Sequence, residues 1–429
     1  MKTNQLQKNN KNKWKEIPVG EVFSFIKTYA ISRDNLSKGI VSDNDIGNIH
    51  YGDIHSAYTS TNIDLSKTVV PLIKDKKNNP KKEELLKNGD LVMADASEDY
   101  EGIGVAVSVH GINNKKVVGG LHTYVLRDEK GITGEYYRQY IFRNPKLRNT
   151  LQKLANGVSV YGISKTTLAK VSLNIPSLLE QKRIVSVFKT WDKSIENLNK
   201  KIEVKKQIKK GLMQNLLTGK KRLSGFKDKW GIVRLGDVAD FINGYTFKSG
   251  SYVENGKNKI ITIANVQDGF MFIDKPKTIN ELPLNINKEQ ILKKGDILIS
   301  MTGNVGRVCV VDFDNCLLNQ RVGKIIAKNI NKKLLYLFLY DRKFLYQMIG
   351  SAQGGAQANL STEDIKKYIF SLPKTKKEQK AIADILTTAD EEIKKLENKL
   401  LVIKEQKKYL LNNLITGTIR TPENLSIKP

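Results

Sequence analysis

The sequence predicts an α+β protein of two tandem globular domains, each followed by a long helix, with an internal pseudo-two-fold repeat. The strongest observation is that residues 180–219 align without a gap on residues 378–417, with 18 of 40 positions identical. A heptad-like apolar spacing recurs in both copies, and short apolar runs separated by Gly, Asn and Asp precede each copy. The repeat is too long for a solenoid unit, which has about 20 to 50 residues.

The domains themselves also repeat. Two motifs recur, WKEIPVGEVFSFI with WGIVRLGDVADFI and LKNGDLVM with LKKGDILI, beginning at Trp14, Trp230, Leu86 and Leu292. Residues 27–85 and 243–291 share no useful similarity, which indicates one framework carrying two different surfaces. The predicted divisions are an N-terminal tail (1–13), domain 1 (14–176), helix 1 (177–219), a linker (220–229), domain 2 (230–373), helix 2 (375–417) and a C-terminal tail (418–429).

Apolar runs inside the domains predict short strands, and longer periodic patterns near the end of each domain predict helices. The predicted strands are 105–109, 117–118, 123–126, 260–263, 297–301 and 308–311. The predicted helices are 135–154 and 332–349. Both domains are therefore expected to be α+β with loop-rich edges.

The two long helices have the same predicted starts. Ser177 with Glu180, and Thr375 with Glu378, form the capping-box pattern in which a hydroxyl and a carboxylate satisfy the first backbone amides. A Thr-Gly pair ends each helix, since glycine accepts the left-handed conformation just past a helix end. The two helices are therefore equivalent elements.

Apolar residues in both helices follow alternating steps of four and three, which is the seam of a coiled coil. The seam residues are Ile184, Phe188, Trp191, Ile195, Leu198, Ile202, Leu212 and Leu216 in helix 1, and Ile382, Leu386, Ala389, Ile393, Leu396, Leu400, Ile403, Leu410 and Leu414 in helix 2. Lys205, Lys209 and Lys407 interrupt it. We expect the two helices to pair with each other, although the heptads alone leave parallel and antiparallel pairing open.

The composition bounds the class of protein. A net charge of +28 suggests a polyanionic partner, the alternative being a lysine-rich composition without function. No apolar run approaches the roughly 18 residues of a membrane span, and residues 1–13 are polar and basic, so a cytoplasmic location is expected. Two cysteines, Cys309 and Cys316, fit a reducing compartment and exclude a disulfide framework.

Motifs of known catalytic centres do not occur in the sequence. It contains no phosphate-binding loop, no His-Glu-x-x-His and no Cys-x-x-Cys. His50 and His55 with Asp53 form a weak metal-ligand pattern, and hydrogen-bonded turn structure is the favoured interpretation, so no metal site is predicted. The Glu-Gln-Lys segments at the helix starts contain half of a nuclease motif, but capping is the favoured interpretation. No catalytic residue is predicted.

The order of the motifs resembles that of DNA specificity subunits of type I restriction-modification enzymes. Each half begins with Trp-x4-apolar-Gly-acid, and each helix has a Glu-Gln-Lys entry and a Thr-Gly exit. The second half adds Gly-Asp-Ile-Leu from Gly295, Gly-Asn-Val-Gly from Gly303 and Leu-Asn-Gln-Arg from Leu318. The resemblance covers nearly the whole chain.

The resemblance implies two target-recognition domains separated by spacer helices that pair antiparallel, with no catalytic centre and no cofactor on this chain. The implied partners are double-stranded DNA, two adenine methyltransferase subunits using S-adenosylmethionine, and restriction subunits using ATP and Mg. One framework with two different surfaces also predicts two different half-sites, hence a bipartite asymmetric target whose spacing the helix pair sets.

Loop residues with hydrogen-bonding side chains are the candidates for DNA contact, because base readout needs forked donors, amides and acceptors. They are Arg33, His50, Tyr51, Asp53, Ser97, Tyr100 and His122 in domain 1, and Lys248, Thr302, Asn304, Arg307, Asn319, Gln320 and Arg321 in domain 2. The alternative for each is an ordinary loop residue, and Gln320 and Arg321 have strand capping as an alternative. Lysines around 205–210 and 404–408 are candidate surfaces for partners or DNA backbone.

Two other classes of function are open on the sequence alone. One is a coiled-coil scaffold or adaptor with non-specific nucleic-acid affinity. The other is a single-chain nuclease or methyltransferase that lacks recognisable motifs. Salt-sensitive binding of one duplex sequence over another separates recognition from scaffolding.

Overall fold

A computed structural model describes residues 14–39, 45–58, 61–74, 80–352 and 358–427. The chain forms two compact units. Unit 1 consists of Met1–Asn197 with Lys399–Pro429, and unit 2 consists of Leu198–Asn398. Both long helices pass from one unit into the other, so each unit contains the start of one helix and the end of the other.

Unit 1 contains a five-stranded sheet of order β2-β11-β7-β9-β5 and a four-stranded sheet of order β10-β4-β6-β3, with the smaller pairs β1-β13 and β12-β8. The strands are β1 (Lys15–Pro18), β2 (Ser24–Ile26), β3 (Leu36–Gly39), β4 (Ile46–Ile49), β5 (Asn62–Asp64), β6 (Val70–Ile73), β7 (Leu91–Ala94), β8 (Ala96–Ser97), β9 (Ala106–His110), β10 (Lys116–Gly119), β11 (Thr123–Arg127), β12 (Tyr161–Gly162) and β13 (Ser172–Ile175). The helices are α1 (Val19–Val22), α2 (Tyr51–Ser56), α3 (Arg138–Ile141), α4 (Pro145–Leu154), α5 (Lys165–Lys170) and the long helix α6 (Leu178–Leu216).

Unit 2 repeats the framework with two four-stranded sheets, β15-β22-β19-β20 and β17-β16-β21-β18, and the pair β14-β23. The strands are β14 (Gly231–Arg234), β15 (Ala239–Asn243), β16 (Asn258–Ile261), β17 (Thr278–Ile279), β18 (Ile291–Leu292), β19 (Ile297–Ser300), β20 (Val308–Val310), β21 (Cys316–Leu318), β22 (Val322–Ala327) and β23 (Ile369–Leu372). The helices are α7 (Leu235–Val238), α8 (Lys332–Tyr340), α9 (Arg342–Ser351), α10 (Thr362–Lys366) and the long helix α11 (Lys376–Ile415).

The predicted α+β class, tandem domains and paired long helices are confirmed, as are the six strands predicted inside the domains. The prediction of one helix over 135–154 and one over 332–349 is wrong, because each pattern is divided between two helices. Asn144 accepts backbone N–H groups as the N-cap of α4 with Pro145 following it, and Asp341 caps α9 in the same way. A new N-cap within a periodic pattern ends the preceding helix.

The shared Gly-Asp turn feeds a buried strand in each unit and fixes a buried cation. Asp90 accepts the backbone N–H of Lys87 at 2.7 Å, and its carboxylate binds the Arg127 guanidinium at 2.7 Å. In unit 2, Asp296 accepts the backbone N–H of Lys293 at 2.9 Å and lies 3.0 Å from the ammonium of Lys324. The repeated motif therefore places a carboxylate where each core contains a charge.

The long helices pair antiparallel within each unit. In unit 2, Lys205 binds Glu392 at 2.8 Å while Lys209, one turn further along α6, binds Asp390, which lies earlier on α11. In unit 1, Lys407 binds Asp192. The seam residues are all buried or half-buried. The lysines that interrupt the heptads are thus ion pairs inside the helix pair, and they fix its register.

Each helix start is held by a three-residue contact that we call the clasp. In unit 1, Glu180 accepts the indole N–H of Trp14 at 3.2 Å and the guanidinium of Arg420 at 2.5 Å. In unit 2, Glu378 accepts the indole N–H of Trp230 at 3.2 Å and Arg222 at 2.8 Å. The arginine lies over the tryptophan ring in both clasps.

The clasps correct three predictions. Ser177 accepts the N–H of Glu180, and Thr375 that of Glu378, but both carboxylates serve the clasp rather than completing a capping box. The segments predicted as linker (220–229) and C-terminal tail (418–429) are packed parts of unit 2 and unit 1, each supplying the clasp arginine. In the second of these, Ile419 also packs against the unit 1 core. These contacts join residues 148 to 240 positions apart, beyond the reach of local patterns.

Candidate nucleic-acid interface

In unit 1, several of the predicted contact residues lie around the short helix α2. His50 is the N-cap, and its Nδ1 accepts the backbone N–H of Gly52 at 3.2 Å. Arg33 donates from both terminal nitrogens to Asp53, at 3.1 and 2.8 Å. Burial, followed by the nearby Arg33 charge, lowers the pKa of His50 below its usual range. The imidazole of His50 therefore acts as a neutral structural acceptor.

The Tyr51 ring joins this group to a second loop. Its centroid lies 4.7 Å from the ring of His50 and 5.3 Å from that of His122, the latter in an edge-on arrangement. His122 is exposed, and its Nδ1 lies 3.3 Å from a carboxylate oxygen of Asp95. Arg33, His50, Tyr51, Asp53 and His122 are thus brought together, with His122 on the exposed side.

Ser97 and Tyr100 lie on the adjoining edge of unit 1. Ser97 is buried in β8, which pairs with β12, and the exposed Tyr100 stacks on Tyr161 with ring centroids 3.9 Å apart. His55 connects this edge to α2, because its Nε2 lies 3.2 Å from the carbonyl oxygen of Ala96. Tyr161 was not among the predicted residues, since a lone tyrosine in a loop carries no periodic signal.

In unit 2, Asn319, Gln320 and Arg321 line one surface pocket of about 270 Å³. Its other walls are Thr246, Phe247, Tyr252, Thr262 and Ile263, none of which was predicted. Gln320 accepts the hydroxyl of Thr246 at 2.6 Å. A Cβ added at Gly244 would lie 1.8 Å from the carbonyl oxygen of Asn319, so the close approach of these two loops requires glycine.

The other unit 2 candidates occupy the turn after β19 and a separate loop. Thr302 is buried and donates to the Asn359 side chain at 3.2 Å, and Arg307 donates to Gln267 at 2.8 Å. Asn304 and Lys248 are exposed. The backbone N–H of Met301 donates to the carbonyl of Arg321 at 2.9 Å, which joins this turn to the pocket. Thr302 and Arg307 are therefore held by protein partners, while Lys248, Asn304 and Arg321 present exposed side chains.

The site contains hydrogen-bonding and cationic groups but no arrangement suited to catalysis. Within the described residues, no group of three His, Cys, Asp or Glu side chains is placed to hold a metal ion. None of the helices in the described part of the chain is long and apolar enough to cross a membrane. What the two surfaces offer is recognition of a polar ligand.

Comparison with known proteins gives one family throughout. The family model described as the type I restriction modification DNA specificity domain matches residues 11–206 and again residues 227–405. The type I restriction enzyme MjaVIII specificity subunit of Methanocaldococcus jannaschii is 31% identical over 301 residues, which cover 66% of this chain and 70% of that protein. The putative MjaX specificity subunit of the same organism is 29% identical over 347 residues, covering 77% and 79%.

Solved structures share the fold. The HsdS subunit from Thermoanaerobacter tengcongensis has a TM-score of 0.51 at 18% identity, covering 95% of this chain and 97% of that one. A chain from a structural study of complex assembly in the type I restriction-modification system has a TM-score of 0.57 at 15% identity, covering 95% and 98%.

Proposed function

We propose that this chain, which belongs to the type I restriction-modification DNA specificity family, reads a bipartite asymmetric DNA target with one half-site per unit. Family membership makes DNA-target recognition its function, and the catalytic activities belong to partner subunits of the complex. The scaffold alternative is not favoured. The remaining steps concern how this chain divides the target.

One observation carries the proposal: the two units share strand register and clasps but present different side chains at the corresponding surface. All four histidines of the chain lie before residue 123, and three of them surround Tyr51. Unit 2 instead offers Gln320 and Arg321 in a pocket. Amide and guanidinium groups favour adenine and guanine edges, respectively, whereas an imidazole has a different donor and acceptor pattern. Two such surfaces support two different half-sites.

The helix pair is proposed to set the distance between the half-sites. Ion pairs at Lys205, Lys209 and Lys407 hold the register of α6 against α11, and a register held in this way resists slippage along the seam. Four of the lysines in the candidate docking runs, including Lys206, are committed to these pairs. The exposed Lys210, Lys404 and Lys408 are the better candidates for DNA backbone or partner contact.

The chain assembles with other subunits of a restriction-modification complex. We propose two adenine methyltransferase subunits that use S-adenosylmethionine, together with restriction subunits that use ATP and Mg. This chain would then contribute specificity and no cofactor site.

Selection of duplexes from a randomised library by the full purified chain tests the proposal. The expected result is enrichment of two short motifs separated by a constant gap, with an affinity that falls steeply with salt because lysines release phosphate counterions. Salt-dependent binding without any enriched sequence would contradict it and favour the scaffold alternative.

A further inference from the structure

The turn before the central strand of each main sheet carries a residue in the left-handed region. Seven non-glycine residues among those described have a positive φ, namely Asn113, Asn114, His122, Asn255, Lys275, Asn315 and Arg321. Four are asparagine, which tolerates this conformation because its short side chain bonds locally. His122 (φ 52°) and Arg321 (φ 71°) lack that excuse of residue type.

These two residues occupy the same position of the repeated framework. Phe25 pairs with Leu126 and its repeat equivalent Phe241 pairs with Ile325, so the residues four positions earlier, His122 and Arg321, correspond. A second strand pairing gives the same alignment, since Met93 pairs with Tyr124 and Ile299 pairs with Gly323.

The backbone of the turn is anchored identically in both units. The N–H of Asp95 donates to the carbonyl of His122 at 3.1 Å, and the N–H of Met301 donates to the carbonyl of Arg321 at 2.9 Å. Both side chains are exposed, although neither backbone conformation favours a side chain at all. A glycine would fit this turn with less strain, so the side chain has a use outside the fold.

The surroundings of the two side chains differ, as expected for readers of different bases. His122 lies edge-on to Tyr51, and the Asp95 carboxylate holds its Nδ1. Fixing Nδ1 as the donor leaves Nε2 as an acceptor suited to the amino group of adenine or cytosine. Arg321 lines the pocket with Gln320 and Asn319, and a guanidinium forks onto guanine.

We propose that this turn is a base-reading position common to both units, with His122 reading one base pair of one half-site and Arg321 reading one base pair of the other. The inference rests on the proposed function and adds the position within each unit that determines specificity. The left-handed backbone points to it, because the strain is retained at the same place with two unrelated side chains.

Glycine substitutions test the proposal, because glycine suits the backbone and removes only the reader. For Arg321→Gly we expect an unchanged or higher melting temperature and loss of preference at one base pair of one half-site, by about 5- to 150-fold as for a bidentate contact. His122→Gly should do the same in the other half-site. Lys275→Gly and Asn114→Gly are matched controls at other positive-φ sites, and the first also removes one positive charge.

Library selection with the full chain measures all four variants against the native chain. Unchanged motifs in Arg321→Gly and His122→Gly, while the native chain enriches a two-part motif, would overturn the inference and leave the proposed function intact. Loss of both half-sites with a lower melting temperature would also overturn it, by showing a structural role. A native chain that enriches no sequence contradicts the proposed function, and the inference fails with it.

Discussion

At the scale of single residues, the framework depends on buried charges that its repeated motif supplies. Asp90 is 1% exposed and its partner Arg127 is 4% exposed, so neither group has water as an alternative partner. The Gly-Asp motif was recognised in the sequence as a turn before a strand. Its second role was hidden, because Arg127 lies 37 residues away with nothing local to mark it.

Replacement of Asp90 by Ala is expected to destabilise unit 1 by about 3 to 5 kcal/mol, because the Arg127 guanidinium would remain buried without its partner. Urea unfolding followed by circular dichroism measures the change. Glu363→Ala is the control, since it breaks an exposed pair with Lys366 and should cost about 1 kcal/mol or less. Equal losses in both variants would contradict this account of the core.

The pH dependence of unit 1 should include a contribution from His50. Burial, then Arg33, lowers its pKa below 6.5, with His122 acting in the same direction and Asp53 opposing them. The unfolded chain therefore takes up a proton first. This contribution to stability is complete above about pH 6.5 and is lost as the pH falls below that value toward the lowered pKa.

Acidification from about pH 7.5 to about pH 5.5 should lower the melting temperature of the native chain more than that of His50→Asn. Asparagine keeps an N-cap acceptor for Gly52 but does not titrate in this range. A smaller decrease should persist in the variant, because burial also lowers the pKa of His110. Parallel curves for the two proteins would show that His50 makes no such contribution.

At the scale of elements, the clasps explain why each helix end belongs with a domain that is distant in sequence. Heptads and helix caps are local signals, so the sequence predicted both long helices and their ends. The clasps connect Glu180 to Arg420 and Glu378 to Arg222, and such distant pairings leave no periodic trace. The same reason explains why most pocket residues of unit 2 were missed, since they come from separate loops.

Glu180→Gln should loosen the segment after Gly417 and destabilise unit 1 by about 1.5 to 3 kcal/mol, the range for hydrogen bonds to a charged group. Limited trypsin digestion with mass spectrometry is expected to show new cleavage at Arg420. Glu378→Gln is the matched variant and should expose Arg222 instead. Cleavage at both arginines in either variant would mean that the clasps do not act separately.

At the scale of the whole molecule, the paired helices are expected to act as a ruler. Seven residues inserted after Asn197 in α6 and after Asn398 in α11 add about 10 Å of helix at about 1.5 Å per residue. This is about three base pairs at about 3.4 Å each. The selected target should keep both half-sites and lengthen its gap by about three base pairs.

An insertion in only one helix is the control, because it displaces Lys205, Lys209 and Lys407 from their acidic partners and should impair the helix pair itself. A double insertion that alters a half-site while the gap stays constant would refute the ruler.

The central claim is that one chain reads a two-part target, one part with each unit. Single-molecule methylome sequencing of cells with and without this gene, alongside recovery of the assembled complex, tests it most directly. The account predicts gene-dependent methyl-adenine at one asymmetric motif of two short parts with a constant gap. Gene-dependent methylation at a continuous or palindromic motif, or an unchanged methylome while the complex is assembled, would contradict it.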